Sequence, residues 1–333
     1  LYGEREFTGR TFFRSELLPD REGRLRLRAV GRSGPLAVNP VRGSTRVGSE
    51  GIIASIIATV VESRPDVFMH NPGPDRTRGK TAPASSIVIV TDFIGSGTRV
   101  SKILDAMHAV PSVRAWRSFG LVDFHVIAAA GAAAGVEQVR RHVLRPQVSA
   151  EHIAPTVGSR GWCQERAWSR LIGDYGPATG RGADRWGFRA SAALVGFNYR
   201  LPNNTPALLH QSEGGWRALF TGAAPLDLRP AFGLRTEEDA LEAASEATGV
   251  EMAPGLAAAD GATVLLLSLM RGRWRRGKEL VLAERTGLSA PTVLETLRRA
   301  VKNGLLLSNG RLTDAGHALL AAGRRGERRR PDI

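Results

Sequence analysis

Cysteine is almost absent from this chain of 333 residues, which contains only Cys163. A disulfide framework within the chain is therefore excluded, and a reducing cytoplasm is the expected location. No uncharged apolar run approaches the roughly 18 residues that a membrane helix needs, so no membrane partner is expected. The sequence begins at Leu1 without an initiator Met, as expected of a fragment or a processed product.

Motifs of several common enzyme classes are also missing. The seven histidines show no metal-ligand spacing. Gly79-Lys80-Thr81 lacks the glycine five positions before Gly79 that a Walker loop needs, since Pro74 stands there, and the G-x-G-x-x-G spacing of dinucleotide-binding folds does not occur. No pair of carboxylates is placed for glycosidase chemistry. The remaining features that indicate a function are the excess of positive charge and glycine-rich segments that match neither of these two motifs.

Positive charge is abundant and unevenly distributed. The formal net charge is +14, which favours polyanionic partners such as nucleic acids and nucleotides. From Arg271 onward, 15 Lys and Arg stand against 6 Asp and Glu, a net charge of +9. Most of the excess therefore lies near the C-terminus, and nucleic-acid binding is most expected there.

Strand and helix patterns alternate in the first half of the chain. Apolar runs at residues 87–90 and 124–130 predict buried strands, and a helical pattern follows each. Further predicted elements are a helix over 51–61 and strands over 25–30, 67–70 and 192–199. The alternation predicts a doubly wound α/β fold with a parallel sheet. Residues 71–86 are rich in Pro, Gly, Ser and Arg and are expected to form a mobile loop.

A glycine-bracketed loop follows the first buried strand, where residues 87–99 read IVIVTDFIGSGTR. Such a strand aims its loop from the carboxyl edge of the sheet, where open α/β folds bind ligands. Glycines let the backbone approach a phosphate, and successive N–H groups at a helix N-terminus bind anions. Asp92 can accept hydrogen bonds from two ribose hydroxyls. The candidate phosphate-binding residues are Ile94, Gly95, Ser96, Gly97, Thr98 and Arg99. The alternative is a strand–turn–helix corner that binds no ligand.

This segment resembles the signature of the type I phosphoribosyltransferases: four apolar residues, two acids, two apolar positions and a small Thr/Ser/Gly loop. The resemblance implies that Asp92 is the catalytic acid, which holds the ribose of phosphoribosyl pyrophosphate, while the loop holds its 5′-phosphate. It also implies Mg²⁺ as cofactor, with Asp92 as the one candidate protein ligand. Two positions depart from the family pattern. Thr91 occupies the first acidic position, and Gly95 stands where some members have a general base, which weighs against ordinary turnover.

Two further segments fit a pyrophosphate site in the same family. Residues 42–51 precede the predicted buried helix, as a pyrophosphate loop does, and the resemblance implies contacts from Arg46, Gly48 and Ser49. The loop over 71–86 matches the mobile loop that closes over the site, with Arg76, Arg78 and Lys80 as clamps. The alternative for these cations is a solvated loop.

A later segment, residues 201–206 (LPNNTP) with Trp216, resembles a hood region. Such a hood occurs in phosphoribosyltransferase-like proteins of bacterial conflict and defence gene clusters. The resemblance implies that Asn203, Asn204 and Trp216 bind a base. A structural turn and a core tryptophan are the alternative.

The last part of the chain combines helical patterns with a turn signal. Helices are predicted over 262–270, 278–286, 291–303 and 314–322, and Asn309-Gly310 predicts a hairpin turn. This arrangement resembles the winged helix-turn-helix family, whose third helix enters the major groove. The candidate nucleic-acid-binding residues are Thr292, Arg298, Arg299, Lys302 and Arg311, and Glu295 and Thr296 are also predicted to face outward. A solvated or protein-binding face, for example for an operon-encoded partner, is the alternative to DNA or RNA binding.

The predicted organisation has four parts. A phosphoribosyltransferase-like (Rossmann-like) domain spans 1–235 with its hood at about 150–235, a helix and linker span 236–260, the winged helix spans 261–323, and a disordered basic tail spans 324–333. Two functions stay open. One is group transfer at ribose C1′ of phosphoribosyl pyrophosphate, and the other is nucleotide sensing without turnover by a DNA-binding regulator.

Overall fold

The structure is a computed structural model, and it describes most of the chain. The described residues are 1–5, 7–36, 49–80, 82–159, 162–177, 184–197, 201–212, 216–220, 237–253, 257–270 and 277–323. The chain divides into two compact units, Leu1–Ala150 and Glu151–Ile333. Among these residues, no helix combines the length and apolar character needed to cross a bilayer.

The strands form a four-stranded sheet and a separate two-stranded one. They are β1 (Tyr2–Gly3), β2 (Ser15–Pro19), β3 (Leu25–Ala29), β4 (Ser86–Ile94), β5 (Asp123–Gly131) and β6 (Gln147–Ile153). The larger sheet has the order β1-β4-β5-β6. Strand β4 pairs in parallel with both β1 and β5, so Ile89 lies between Tyr2 and Val126. The predicted parallel α/β sheet is confirmed.

Helices of the first unit cover this sheet. They are α1 (Ser49–Ser63), α2 (Pro74–Thr77), α3 (Thr98–His108), α4 (Pro111–Ser118) and α5 (Ala133–Arg140). Helix α1 contacts β1 and β4 and buries Ile53 and Ile57. Helix α3 buries Ile103, Leu104 and Met107, which lie on one face at helical spacing. Burial of these apolar faces holds the two helices in place. As a result, α1 begins next to the carboxyl end of β1, and α3 begins next to the carboxyl end of β4.

Three local predictions in this unit are corrected. Residues 67–70 form a turn and not a strand, because the N–H groups of Val67 and Phe68 both donate to the carbonyl of Arg64. The predicted mobile loop over 71–86 contains α2, where the Thr77 hydroxyl donates to Gly73 at 2.9 Å. Strand β3 pairs with β2, but Leu25 and Leu27 are 64% and 48% exposed, so the strand is not half-buried.

The second unit begins with an irregular region around helix α6 (Trp162–Tyr175). Its buried cluster includes Val157, Ile172 and Leu208, and the side chains of Trp168 and Trp216 pack against it. The predicted strand over 192–199 does not form within its described residues 192–197, where Ala193 makes only an isolated bridge to Thr156. Ala192 and Ala193 are buried all the same.

The winged helix-turn-helix follows in the same unit. Helix α7 (Glu237–Thr248) precedes it, and its own helices are α8 (Ala258–Leu269), α9 (Lys278–Thr286), α10 (Ala290–Lys302) and α11 (Asp314–Gly323). The Ser289 side chain caps α10 by accepting from the Thr292 N–H at 3.2 Å. Helix α7 packs on α8 and α9 through buried Leu241 and Ala244. The wing is a short hairpin, in which Leu306 and Leu312 form an antiparallel bridge and the N–H groups of Leu307 and Thr313 donate to the carbonyls of Arg311 and Leu305.

Candidate functional site

The candidate phosphate loop connects β4 to α3. Gly97 has φ +75° and forms the left-handed N-cap of α3, a conformation that costs glycine little. The hydroxyls of Ser96 and Thr98 lie 2.9 Å apart. Within the described part of the chain, the N–H groups of Gly95, Ser96 and Gly97 donate to no acceptor. The loop therefore adds unpaired donors to those at the start of α3, and such an arrangement binds anions.

A second glycine segment supports this loop from β5 and α5. A Cβ atom on Gly135 would overlap the carbonyl oxygen of Gly95, and one on Gly97 would lie 2.7 Å from the Gly135 oxygen. A Cβ on Gly131 would lie 2.7 Å from the Val136 side chain. The glycines at 131 and 135 therefore serve close packing. They set the position of the loop and do not form a second ligand site.

Asp92 lies in β4, two residues before the end of the strand. Its Oδ1 accepts a hydrogen bond from the N–H of Phe93 at 2.8 Å and lies 3.4 Å from the Thr91 hydroxyl oxygen. The side chain is half-buried. The carboxylate is thus held in place beside the phosphate loop. The strand also runs further than predicted, because pairing with β5 continues to Ile94 and Gly131.

Sequence reasoning missed Glu4, which follows β1 and is 5% exposed. Its N–H donates to the Val90 carbonyl at 2.7 Å, which continues the pairing of β1 with β4. Its Oε2 accepts from the Thr91 hydroxyl at 2.8 Å, and its Oε1 lies 3.3 Å from Nε of Arg99. A single acid after a two-residue strand carries no motif. Only the register of β1 beside β4 reveals it.

The electrostatic surroundings of Glu4 are mixed. Burial raises the pKa of its carboxyl from 4.5 to about 7. Arg99 and the Thr91 hydroxyl lower this pKa, whereas the charges of Asp92 and Glu50 raise it. Because Glu50 lies in the first turn of α1, the start of that helix acts on the same group. The structure thus brings Asp92, Thr91, Arg99 and the N-terminal end of α1 around one buried carboxyl.

The predicted pyrophosphate residues are placed unevenly. Arg46 and Gly48 lie outside the described residues, and Ser49 is the first residue of α1. Arg76 and Lys80 are exposed, and their predicted contacts with the diphosphate stay predictions. Arg78 donates to the carbonyls of Ala84 at 3.1 Å and Leu121 at 3.4 Å. Arg78 is therefore anchored to the backbone, and its predicted contact with the diphosphate stays a prediction.

The predicted base-binding residues belong to the second unit. Asn204 is 6% exposed, and its amide donates to the Ser191 hydroxyl at 3.0 Å. The indole N–H of Trp216 donates to the Leu208 carbonyl at 2.7 Å, and its ring packs on the core. Asn204 and Trp216 thus have structural partners, and their predicted contacts with a base stay predictions. Asn203 is exposed, and a contact between it and a base stays a prediction.

The candidate nucleic-acid face lies on α10 and the wing. Thr292, Arg298, Lys302 and Arg311 are exposed, and so is Glu295. Arg299 is half-buried and donates to the Ala259 carbonyl of α8 at 3.0 Å, so it anchors α10 to α8. Thr296 is 4% exposed, and the prediction that it faces outward is wrong. It lies on the same helical stripe as Val293, Leu297 and Ala300, which pack into the core.

A parallel sheet with a glycine loop at its carboxyl edge is the arrangement expected of a phosphoribosyltransferase-like domain, and a winged helix-turn-helix follows it along the chain. Residues 73–221 match the family model described as PRTase-CE, and residues 264–332 match the one described as wHTH-PRTase associated. The chain thus carries both modules, which confirms the resemblance seen in the sequence. No curated protein and no solved structure matches the chain significantly.

Proposed function

We propose that the phosphoribosyltransferase-like domain binds phosphoribosyl pyrophosphate or a nucleotide at the loop of residues 94–99. The observation that carries this proposal is the set of unpaired N–H groups at Gly95, Ser96 and Gly97, at the N-terminus of α3. These donors and the helix terminus favour a phosphate group. Arg99 adds a half-exposed positive charge in the first turn of the helix. Asp92 is placed to accept the hydroxyls of the attached ribose.

Mg²⁺ is proposed to arrive with the diphosphate of the ligand. Mg²⁺ usually keeps several waters and takes one or two carboxylates together with phosphate oxygens. A site in which Asp92 is the one candidate protein ligand fits this preference. The described residues contain no group of three or more His, Cys, Asp or Glu side chains that could hold a metal by themselves. When bound, the cation would offset the negative charge on the pyrophosphate.

Ligand occupancy is further proposed to alter binding by the winged helix, which makes the chain a nucleotide-sensing regulator. The presence of Thr91 and Gly95 at two positions where transferases carry catalytic side chains favours sensing over turnover. The second candidate function is transfer of the phosphoribosyl group to a base with release of pyrophosphate. A role in bacterial defence is proposed from the family resemblance alone.

Replacing Asp92 by asparagine tests the proposed ribose site. The side-chain oxygen of the asparagine can still accept the N–H of Phe93, which the aspartate accepts now, so the strand end is preserved. The ionised acceptor for the ribose hydroxyls is lost, and binding is expected to weaken by about tenfold or more. The measurement is isothermal titration calorimetry of the full chain with phosphoribosyl pyrophosphate and Mg²⁺. Pyrophosphate release in the presence of mixed bases, measured in parallel, distinguishes turnover from sensing.

The control for this experiment is Asp66→Asn, which makes the same chemical change at an exposed side chain paired with exposed Arg64. It is expected to bind like the wild type. A wild-type chain that binds neither phosphoribosyl pyrophosphate nor a nucleoside monophosphate contradicts the proposed function. Tight binding without pyrophosphate release supports the sensor, and release that Asp92→Asn abolishes supports the transferase.

The proposed nucleic-acid face makes a separate prediction. The double variant Arg298→Ala/Lys302→Ala removes two exposed charges from α10 without touching the anchor that Arg299 makes to α8. Binding to duplex DNA is expected to weaken, and the slope of log K against log salt is expected to become shallower by about 2. Fluorescence anisotropy over a salt series measures this. Arg285→Ala, an exposed charge on α9, is the control, and an unchanged slope in the double variant refutes the groove-binding model.

A further inference from the structure

The side chain of Glu4 connects the two flanks of the phosphate loop. Its Oε2 accepts from Thr91, in the strand that precedes the loop. Its Oε1 pairs with Arg99, in the first turn of the helix that follows the loop. One carboxyl therefore spans a chain segment of seven residues, 92–98, which contains Asp92 and all of the phosphate loop up to Arg99.

A contribution to the stability of the fold does not by itself explain why the Glu4 carboxyl is buried. Removing a carboxylate from water is costly, and a buried ion pair often contributes less than apolar side chains of the same size would. Arg99 is 47% exposed whereas Glu4 is 5% exposed, so solvent screens the attraction on the arginine side. What the contact does supply is a fixed direction for the guanidinium group.

Arg99, once held in one orientation, is well suited to bind a phosphate group. A guanidinium has five N–H donors in a rigid plane, and Glu4 is engaged through Nε. The terminal nitrogens of an arginine held in this way can form paired hydrogen bonds with two oxygens of a phosphate. The unpaired N–H groups of Gly95 and Ser96 lie just before Arg99 in the chain.

We propose that Glu4 is a positioning residue of the phosphate site, which aims Arg99 at the 5′-phosphate by linking it to Thr91 across the loop. This inference rests on the proposed function, because it assigns a role to Glu4 only if the loop binds a phosphorylated ribose. In this role Glu4 need not touch the ligand. It acts through Arg99, and its effect on binding should vanish when Arg99 is removed.

A double-mutant cycle on ligand binding tests this dependence. Glu4→Gln keeps the size of the side chain and an oxygen for the Thr91 hydroxyl, but turns an amide donor toward Arg99. Glu4→Gln and Arg99→Ala are each expected to weaken binding of phosphoribosyl pyrophosphate with Mg²⁺ by about tenfold. The double variant is expected to bind like Arg99→Ala alone, because the two residues act as one unit. Titration calorimetry of the full chain measures all four proteins.

Losses that multiply in the double variant would mean that Glu4 acts independently of Arg99, and this overturns the inference. Binding by Glu4→Gln equal to that of the wild type overturns it as well. In both cases the proposed function stands, since the wild type still binds and Asp92→Asn still binds weakly. A wild type that does not bind overturns both proposals, and this result appears before any variant is made.

Two further variants keep the test interpretable. Glu22→Gln makes the same chemical change at an exposed carboxyl in the turn between β2 and β3, and it is expected to bind like the wild type. If Glu4→Gln does not fold, Glu4→Asp retains the charge but shortens the side chain by one methylene, which lengthens the link to Arg99. Glu4→Asp is expected to bind about threefold more weakly than the wild type. In the Arg99→Ala background, the same substitution is expected to have no effect on binding.

Discussion

Gly135→Ala is expected to destabilise the first unit by roughly 3 kcal/mol and to abolish most ligand binding. The added methyl group would overlap the carbonyl oxygen of Gly95 and would lie 3.1 Å from the nitrogen of Gly97. Both neighbours are backbone atoms of the phosphate loop, so no side-chain rotation can relieve the overlap. Either α5 or the loop must move, and the donors at Gly95 and Ser96 then no longer converge on one phosphate.

The direction of this effect is opposite to that of an ordinary helical glycine. Gly173 lies within α6, and a Cβ there would meet nothing within 4 Å. Gly173→Ala is therefore expected to be neutral or to stabilise by up to about 1 kcal/mol. Denaturant unfolding and calorimetric titration of both variants provide the comparison. Equal stability of Gly135→Ala and the wild type would show that the loop and α5 are further apart than described above.

Local sequence patterns predicted the elements that carry the phosphate loop because each is specified by its own residues. The β-branched run before Thr91 favours a buried strand, and the glycines at 95 and 97 disfavour an earlier start of the helix. The same holds for α10, where Ser289 followed by Pro291 marks the first turn. These signals depend on residues within a few positions of each other.

Features that depend on contacts between distant parts of the chain could not be predicted from local sequence patterns. Strand β4 extends through Asp92 to Ile94 because β5 continues to pair with it, whereas the described part of the apolar run over 192–199 forms no regular strand. Thr296 is polar, yet its place on the apolar stripe of α10 buries it. Glu4 illustrates the limit most clearly, since 87 positions separate it from Thr91. Neither residue alone indicates the contact.

The role of the glycines and that of Glu4 are complementary. Gly135 and Gly97 set how closely α5 and the loop approach, which fixes the backbone donors. Glu4 links Thr91 and Arg99, on either side of the loop, and this link fixes the direction of the Arg99 side chain. The two devices can be tested separately, because Gly135→Ala should impair every phosphate contact whereas Glu4→Gln should impair only those of Arg99.

Glu4→Gln is also expected to change how the stability of the first unit depends on pH. The pKa of Glu4 is raised from 4.5 to about 7 by burial, so the folded state retains a proton that the unfolded state loses. Because the pKa is higher in the folded state, proton binding by Glu4 adds to the free energy of unfolding. This contribution is fully present below about pH 4.5 and is lost as the pH rises through about 7. The size of the loss is about 3 kcal/mol, at 1.36 kcal/mol for each pKa unit. Arg99 and Thr91 oppose the shift, and Asp92 and Glu50 reinforce it.

Native-state hydrogen exchange of the β4 and β5 amides, measured at about pH 5 and about pH 8, reports this free energy for the first unit. The wild type is expected to lose more protection free energy over this interval than Glu4→Gln, because glutamine does not titrate. The absolute stability of Glu4→Gln does not decide the matter, since the variant also loses the pairing with Arg99. Glu22→Gln should follow the wild type. If wild type and Glu4→Gln lose the same protection, the carboxyl of Glu4 is ionised throughout, and the attraction of Arg99 outweighs the cost of burial.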